Sequence, residues 1–114
     1  MLSYKNRLTV KKDFESAYRF GDFFSFEGVS LKVRKNNVLA TRIGISVGIK
    51  FSKKAVERNK ARRRLREIMR QNLEKMKKGL DIIIVLKNPA GTPPSFKNLK
   101  RNLETALRKG NLII

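Results

Sequence analysis

The fold is decided by residues 53–86, which read KKAVERNKARRRLREIMRQNLEKMKKGLDIIIVL. The part from 53 to 78 contains neither Pro nor Gly and is rich in good helix formers. Its apolar residues recur at helical spacing, in a stripe made of Ala61, Leu65, Ile68, Met69, Leu73 and Met76. A basic last turn, Lys75–Lys78, precedes Gly79, as is usual at a helix C-terminus. The stretch therefore predicts one long amphipathic helix over 53–78.

The end of the same stretch, Ile82–Leu86, is apolar at every position. A strand without polar alternation has no face suited to water. We therefore predict either a central strand covered on both sides or a strand that lies beside the long helix.

Two shorter helices flank this region. The first covers about 11–20 and ends before Gly21. At helical spacing, Val10, Phe14, Ala17 and Tyr18 lie on one face of this helix. The last covers about 95–109, after a loop at 88–94, and ends before Gly110.

Three strands are predicted between the first helix and the long one. They lie in an aromatic-rich run at 23–26, an alternating run at 29–33 and a third run within 38–48. The turn signal Lys35–Asn37 predicts that the second and third strands form a hairpin. The predicted order is α-β-β-β-α-β-α, in a single α+β domain that covers residues 1–114.

The third predicted strand has one face of small residues. Its apolar positions are Ile43, Ile45 and Val47, and its small positions are Gly44, Ser46 and Gly48. A small face lets a helix, another backbone or a ligand approach closely. We favour an overlying helix, with a ligand as the alternative.

Composition excludes several classes of function. The 114 residues include 28 Lys or Arg, 9 Asp or Glu, and no His or Cys, so the net charge is +19. Thiol nucleophiles, imidazole bases and Cys/His metal sites are absent, and the acids show no paired spacing. The charge indicates an anionic partner, with nucleic acid the first candidate and an acidic membrane surface the second. Because no run is apolar enough for a membrane span or signal peptide, we expect a soluble cytoplasmic protein.

Five guanidinium groups of the predicted long helix lie within one arc of about 140°, at about 100° per residue. These groups belong to Arg58, Arg62, Arg63, Arg66 and Arg70, with Asn59 beside them. Like charges at i, i+4 destabilise a helix, and a bound polyanion removes that penalty because guanidinium groups match phosphate oxygens. The alternative is a solvated face kept for solubility, although such faces usually mix both signs. Since no helix-turn-helix or zinc pattern is visible, we predict binding to structured RNA in a ribonucleoprotein.

Phe14 and Tyr18 are the aromatic candidates for contact with nucleic acid. They are four residues apart on the first helix, and the aromatic run 23–26 follows closely. Aromatic rings beside a basic surface can stack on single-stranded bases. Periodicity alone favours ordinary core positions for both residues, so both interpretations stay open here.

The segment Ala55–Glu67, AVERNKARRRLRE, resembles the signature helix of the bacterial ribonuclease P protein subunit. The matching positions are Arg58-Asn59, Arg62-Arg63 and Arg66. Other stretches similar to that family, in the same order, are Arg7-Leu8, Asp13-Phe14 with Tyr18 and Gly21, Ile43–Val47 and Asp81–Val85. In two departures, Lys60 replaces the usual Arg and Gly48–Lys54 is one residue longer. The family's lysine roles are therefore open among Lys50, Lys53 and Lys54.

The resemblance implies the protein component of an endonuclease that removes the 5′ leader from precursor tRNA by phosphodiester hydrolysis. It implies a left-handed β-α-β crossover, ribonuclease P RNA and precursor tRNA as partners, and no need for a membrane or a protein partner. Magnesium ions would be bound mainly by the RNA subunit, so no catalytic or metal-ligating residue is expected in the protein. The implied contacts to the catalytic RNA are Arg58, Asn59, Lys60, Arg62, Arg63, Arg66 and Arg70. The implied contacts to the leader are Phe14, Tyr18, Lys32, Ser46 and Lys50.

Three other classes of protein compete with this interpretation. A small basic ribosomal protein would share the charge but show no preference for a tRNA leader. A DNA-binding regulator would prefer duplex DNA. A protein that is itself a nuclease would need a base or metal ligands, for which the chain has few candidates.

Overall fold

The computed structural model describes residues 2–88 and 91–113, which form three helices and four strands. The helices are α1 (Lys11–Phe20), α2 (Ala55–Asn72) and α3 (Phe96–Lys109). The strands are β1 (Asp22–Phe26), β2 (Val29–Lys35), β3 (Arg42–Val47) and β4 (Leu80–Leu86). Short 3₁₀ turns lie at Tyr4–Asn6 and Leu73–Lys75. The predicted order α-β-β-β-α-β-α and the α+β class are confirmed.

The four strands form one mixed sheet in the order β1-β2-β4-β3. Strand β4 is antiparallel to β2 and parallel to β3, so α2 connects two adjacent parallel strands. Ile82, Ile83 and Ile84 are fully buried, which confirms the central strand covered on both sides. The left hand of the crossover stays a prediction.

Helices cover both faces of the sheet. On one face, α2 and α3 enclose the main core, whose fully buried members include Leu31, Leu65, Ile68, Ile82, Ile84, Leu103 and Leu107. On the other face, α1 packs over β2 and β4 on a smaller cluster of Leu8, Ala17 and Ile83. Within the described ranges, no helix is both long and apolar enough to cross a membrane.

The predicted hairpin between β2 and β3 is wrong. Strand β2 instead forms a hairpin with β1 through Glu27 and Gly28, whose φ angles of 48° and 83° suit a tight two-residue turn. The Asn36 side-chain amide donates to the Ala40 carbonyl at 3.2 Å and to Asp81 at 2.8 Å. These bonds fix a loop that carries the chain past β4, so β3 begins at Arg42 on the far side of that strand.

The predicted helix over 53–78 is too long, because α2 ends at Asn72. The buried Asn72 side chain donates to the Ile68 carbonyl and to the Glu104 carboxylate of α3, both at 2.9 Å. The chain then turns toward the C-terminal segment, where the Lys77 N–H donates to the Leu112 carbonyl at 2.9 Å. The basic residues at 75–78 therefore lie outside the helix, and Gly79, with φ of 77°, leads into β4.

An ion-pair network joins α1 to the sheet. The Arg42 guanidinium donates to both carboxylate oxygens of Asp81, each at 2.8 Å, and to Asp13 of α1 at 3.2 Å. Asp81 is buried, and the hydrogen bonds to Asp81 raise the pKa of Arg42. Charges that are paired in this way tolerate burial. Because Arg42 of β3 bonds both Asp13 of α1 and Asp81 of β4, the network fixes where α1 crosses the sheet.

Candidate nucleic-acid interface

Helix α2 buries its apolar side and leaves its polar groups accessible. Ala61, Leu65, Ile68 and Met69 face the core. Among the predicted contacts to the catalytic RNA, Asn59, Lys60, Arg63 and Arg70 are exposed, whereas Arg58, Arg62 and Arg66 are half-buried. The helix therefore presents a cationic outer surface, which we call the α2 surface (Arg58, Asn59, Lys60, Arg62, Arg63, Arg66 and Arg70).

Two arginines of the α2 surface also hold the start of the helix. Arg62 donates to the Val47 carbonyl and to the Asn59 side chain, both at 2.7 Å. Arg58 donates to the Ser52 carbonyl at 3.0 Å. Arg62 thereby joins α2 to the end of β3, and Arg58 joins it to the loop before the helix, structural roles that helical spacing in the sequence does not reveal.

Arg70 forms a salt bridge with Glu67, one turn earlier on the same helix. Its guanidinium contacts both carboxylate oxygens of Glu67, at 2.5 and 3.0 Å. This hydrogen bonding lowers the pKa of Glu67 to about 2, so the carboxylate is charged at neutral pH. A phosphate at Arg70 would compete with Glu67, which makes Arg70 a weaker candidate than the exposed Arg63.

The small face of β3 is covered at one end and open at the other. A Cβ atom on Gly44 would lie 2.7 Å from Cε2 of Phe14 in α1, whereas one on Gly48 would meet nothing within 4 Å. The overlying helix is therefore confirmed at Gly44. Phe14 is half-buried in the α1 cluster, and Tyr18 is 53% exposed.

Tyr18 and Lys32 form the centre of an aromatic and basic surface. The Lys32 ammonium lies 5.8 Å from the centre of the Tyr18 ring and 5.2 Å from that of Phe23, within cation–π range. Phe23 is 57% exposed and was not among the predicted leader contacts. The sequence signal that could have identified Phe23 is its alternation with Phe24 and Phe26, which pack on the main core.

The remaining leader candidates lie along the same side of the sheet or at its end. Lys32 of β2 lies opposite Ile83 of β4, and Ile83 lies opposite Gly44 of β3. Ser46 of β3 lies opposite Val85 of β4. Cross-strand partners share a face, so Phe14, Lys32 and Ser46 lie on the α1 side. Lys50 is exposed beyond the end of β3, and its carbonyl accepts from the Asn88 N–H at 3.3 Å. We call Tyr18, Phe23, Lys32 and Ser46 the sheet surface.

Comparison with known proteins gives matches along almost the whole chain. The family model described as Ribonuclease P matches residues 2–111. A ribonuclease P protein component of Pseudanabaena is 39% identical over 114 residues, covering 99% of this chain and 97% of its own length. One from Clostridium botulinum is 33% identical over 109 residues, covering 95% and 96%. The solved RNase P protein of Staphylococcus aureus has a TM-score of 0.85 at 25% identity, covering 96% and 98%. That of Thermotoga maritima has a TM-score of 0.79 at 31% identity, covering 90% and 96%.

Proposed function

This chain belongs to the ribonuclease P protein family, and we propose that it serves that ribonucleoprotein by binding two RNAs at once. The α2 surface binds the catalytic RNA, and the sheet surface binds the single-stranded 5′ leader of precursor tRNA. The observation that carries the proposal is the Lys32 ammonium between the Tyr18 and Phe23 rings. Rings that alternate with a cation suit bases joined by phosphates.

The α2 surface suits a folded RNA because its cations are attached to a rigid helix. Arg63 and Lys60 are exposed and reach phosphates without first breaking a hydrogen bond to the sheet. Arg62 holds α2 against the end of β3, Arg58 holds it against the preceding loop, and both offer their remaining N–H groups. Bound phosphates would also relieve the i, i+4 repulsion among the arginines.

The sheet surface suits a single strand because it offers stacking without a base-specific pattern. Tyr18 and Phe23 supply rings, Lys32 a phosphate contact and Ser46 a hydroxyl group. The open space at Gly48 lets a nucleotide approach the backbone. Lys50, Lys53 and Lys54 are all exposed in the loop that leads from β3 to α2, so any of them could bind phosphate between the two surfaces.

The chemical step is assigned to the catalytic RNA and its magnesium ions. Among residues 2–88 and 91–113, no three acidic side chains form a metal-ligating group, and the chain has no His or Cys. In these ranges the protein offers no cluster of three ligands for the magnesium ions, which we assign to the RNA. The contribution of the protein is its charge of +19, which offsets repulsion between two polyanions and so lowers the magnesium requirement.

The test is cleavage of a leader-bearing precursor tRNA by a bacterial ribonuclease P RNA at low magnesium, with and without this chain. We expect the protein to stimulate cleavage at the mature 5′ end and to cleave nothing by itself. High magnesium without protein is the control for an active RNA. No stimulation by folded protein, with RNA that is active at high magnesium, would favour a ribosomal protein instead.

A further inference from the structure

A pocket of about 430 Å³ lies between α2 and the first residue of α3. Its lining residues are Arg63, Arg64, Arg66, Glu67 and Phe96. Four of these five residues are charged, yet the walls are mostly apolar. The Phe96 ring and the aliphatic stems of the arginines therefore line the pocket, and the charged groups lie at its rim.

Phe96 offers a fixed aromatic surface to this pocket. It is the first residue of α3, and its ring is half-buried against the main core. The Arg64 guanidinium carbon lies 5.9 Å from the centre of the ring. A ring and a guanidinium are both planar, and both stack on nucleobases.

The rim of the pocket is cationic and continuous with the α2 surface. Arg63 and Arg66 belong to that surface, and Glu67, the one acid, is paired with Arg70. The volume falls within the roughly 300–1,000 Å³ of small-molecule sites, which admits one nucleotide but not a duplex. An apolar, aromatic pocket behind a phosphate-binding rim fits a base that is joined to a bound backbone.

We propose that this pocket takes a single unpaired base of the catalytic RNA, stacked on Phe96 and Arg64, with neighbouring phosphates bound by Arg63 and Arg66. The inference rests on the proposed function, because it requires the RNA to lie along α2. It adds a contact of stacking and shape to a surface that otherwise binds through charge. It also assigns Phe96 a role in RNA binding besides packing α3 against the core.

The test compares Phe96→Leu with the parent chain in binding to ribonuclease P RNA. Leucine keeps an apolar side chain against the core but removes the ring, so we expect affinity to fall by about 5- to 150-fold, the range for one lost base–aromatic stack. The slope of log affinity against log salt should not change, because no charge is removed. Phe96→Tyr keeps the ring and should bind like the parent.

Phe26→Leu is the matched control. The Phe26 ring is also half-buried, and the Lys109 ammonium lies 5.9 Å from its centre. It lies on β1, at the opposite edge of the sheet from β3. We expect Phe26→Leu to bind the RNA like the parent. In addition, base-modifying reagents should show one nucleotide that the parent protects and Phe96→Leu leaves reactive.

The outcomes separate this inference from the proposed function. Parental affinity for Phe96→Leu, together with weak binding by Arg62→Ala/Arg63→Ala, would overturn the stacked base and leave RNA binding by α2 intact. Parental affinity for both variants would overturn both. If Phe96→Leu does not fold, Arg64→Lys decides the matter, because it keeps the charge and removes the planar group. Parental affinity of Arg64→Lys would then overturn the inference.

Discussion

At the scale of single residues, Phe14 and Tyr18 share a helical face but differ in their surroundings. Phe14 packs its ring edge against Gly44 and positions α1 on the sheet. Tyr18, one turn later, keeps 53% of its surface exposed and has Lys32 beside its ring. We therefore expect Tyr18 to stack on a leader base and Phe14 to support the helix that carries it.

We predict that Tyr18→Ala lowers affinity for leader-bearing precursor tRNA in the holoenzyme by about tenfold, within the range for one lost base–aromatic stack. Affinity for mature tRNA should not change, so discrimination between the two falls. Equilibrium binding of both RNAs to the assembled holoenzyme measures this. Tyr4→Ala is the control, since Tyr4 is 78% exposed on a 3₁₀ turn outside both surfaces.

Arg63→Ala should show the opposite pattern. It weakens assembly with the catalytic RNA and leaves discrimination between precursor and mature tRNA unchanged, because Arg63 lies on the α2 surface. Arg62→Ala removes the same charge but also the bond to the Val47 carbonyl, so its stability must be measured alongside. Loss of the same property in Tyr18→Ala and Arg63→Ala would contradict the assignment of two surfaces.

Sequence pattern alone could not separate these residues. Helical spacing indicates which side chains share a face, but not where the supporting sheet ends beneath them. Phe14 lies over Gly44 of β3, whereas Tyr18 lies beside Lys32 of β2, a difference set by where α1 crosses the sheet rather than by the local sequence. The resemblance to a family implies Tyr18 as a leader contact, and the structure adds Phe23 as a candidate through its distance to Lys32.

At the scale of elements, the contact between α1 and β3 depends on the absence of a side chain at Gly44. We predict that Gly44→Ala lowers the free energy of unfolding by about 1–3 kcal/mol, the usual cost of overpacking, because the new Cβ would lie 2.7 Å from the Phe14 ring. Denaturant unfolding measures this. Leader affinity should fall as well, since a displaced α1 carries Tyr18 with it.

Gly48→Ala is the matched control in the same stretch of chain. A Cβ there meets nothing within 4 Å, so stability should change by no more than about 0.5 kcal/mol. Combining Gly44→Ala with Phe14→Leu should restore part of the lost stability, because neighbouring changes are not additive. Equal losses for the two glycine variants would show that the contact with Phe14 is not the cause.

The type and order of the helices and strands were predictable from local periodicity, but which strands pair with one another was not. All three helices and all four strands have the expected type and order. The hairpin error arose because the turn signal at Lys35–Asn37 belongs to a loop whose Asn36 bonds to Asp81, far along the chain. The end of α2 is likewise set by Asn72 bonding to Glu104 of α3. Both errors come from side chains that bond across long sequence separations.

At the scale of the whole molecule, the two surfaces differ in charge, because the α2 surface carries six cationic side chains and the sheet surface carries one, Lys32. The α2 surface lies on the helix that covers one face of the sheet, and the sheet surface lies on the other face, beside α1. The loop between β3 and α2, with Lys50, Lys53 and Lys54, connects them. A net charge of +19 on 114 residues costs self-repulsion when the protein is free, and binding of polyanions relieves it.

This charge sets the salt dependence of assembly. If the α2 surface and the lysine loop together neutralise roughly 6–10 phosphates, we expect affinity for the catalytic RNA to fall by about 10³- to 10⁵-fold between about 50 and 200 mM monovalent salt. The reason is that the release of counterions from the RNA gains less entropy at higher salt. Filter binding across that range measures the slope. Replacing Lys60 and Arg63 by Gln should make the slope of log affinity against log salt shallower, by an amount that corresponds to up to two lost phosphate contacts. Tyr18→Ala should leave this slope unchanged. A nearly flat response in the parent chain would show that shape rather than charge dominates, and would remove the reason for the lowered magnesium requirement.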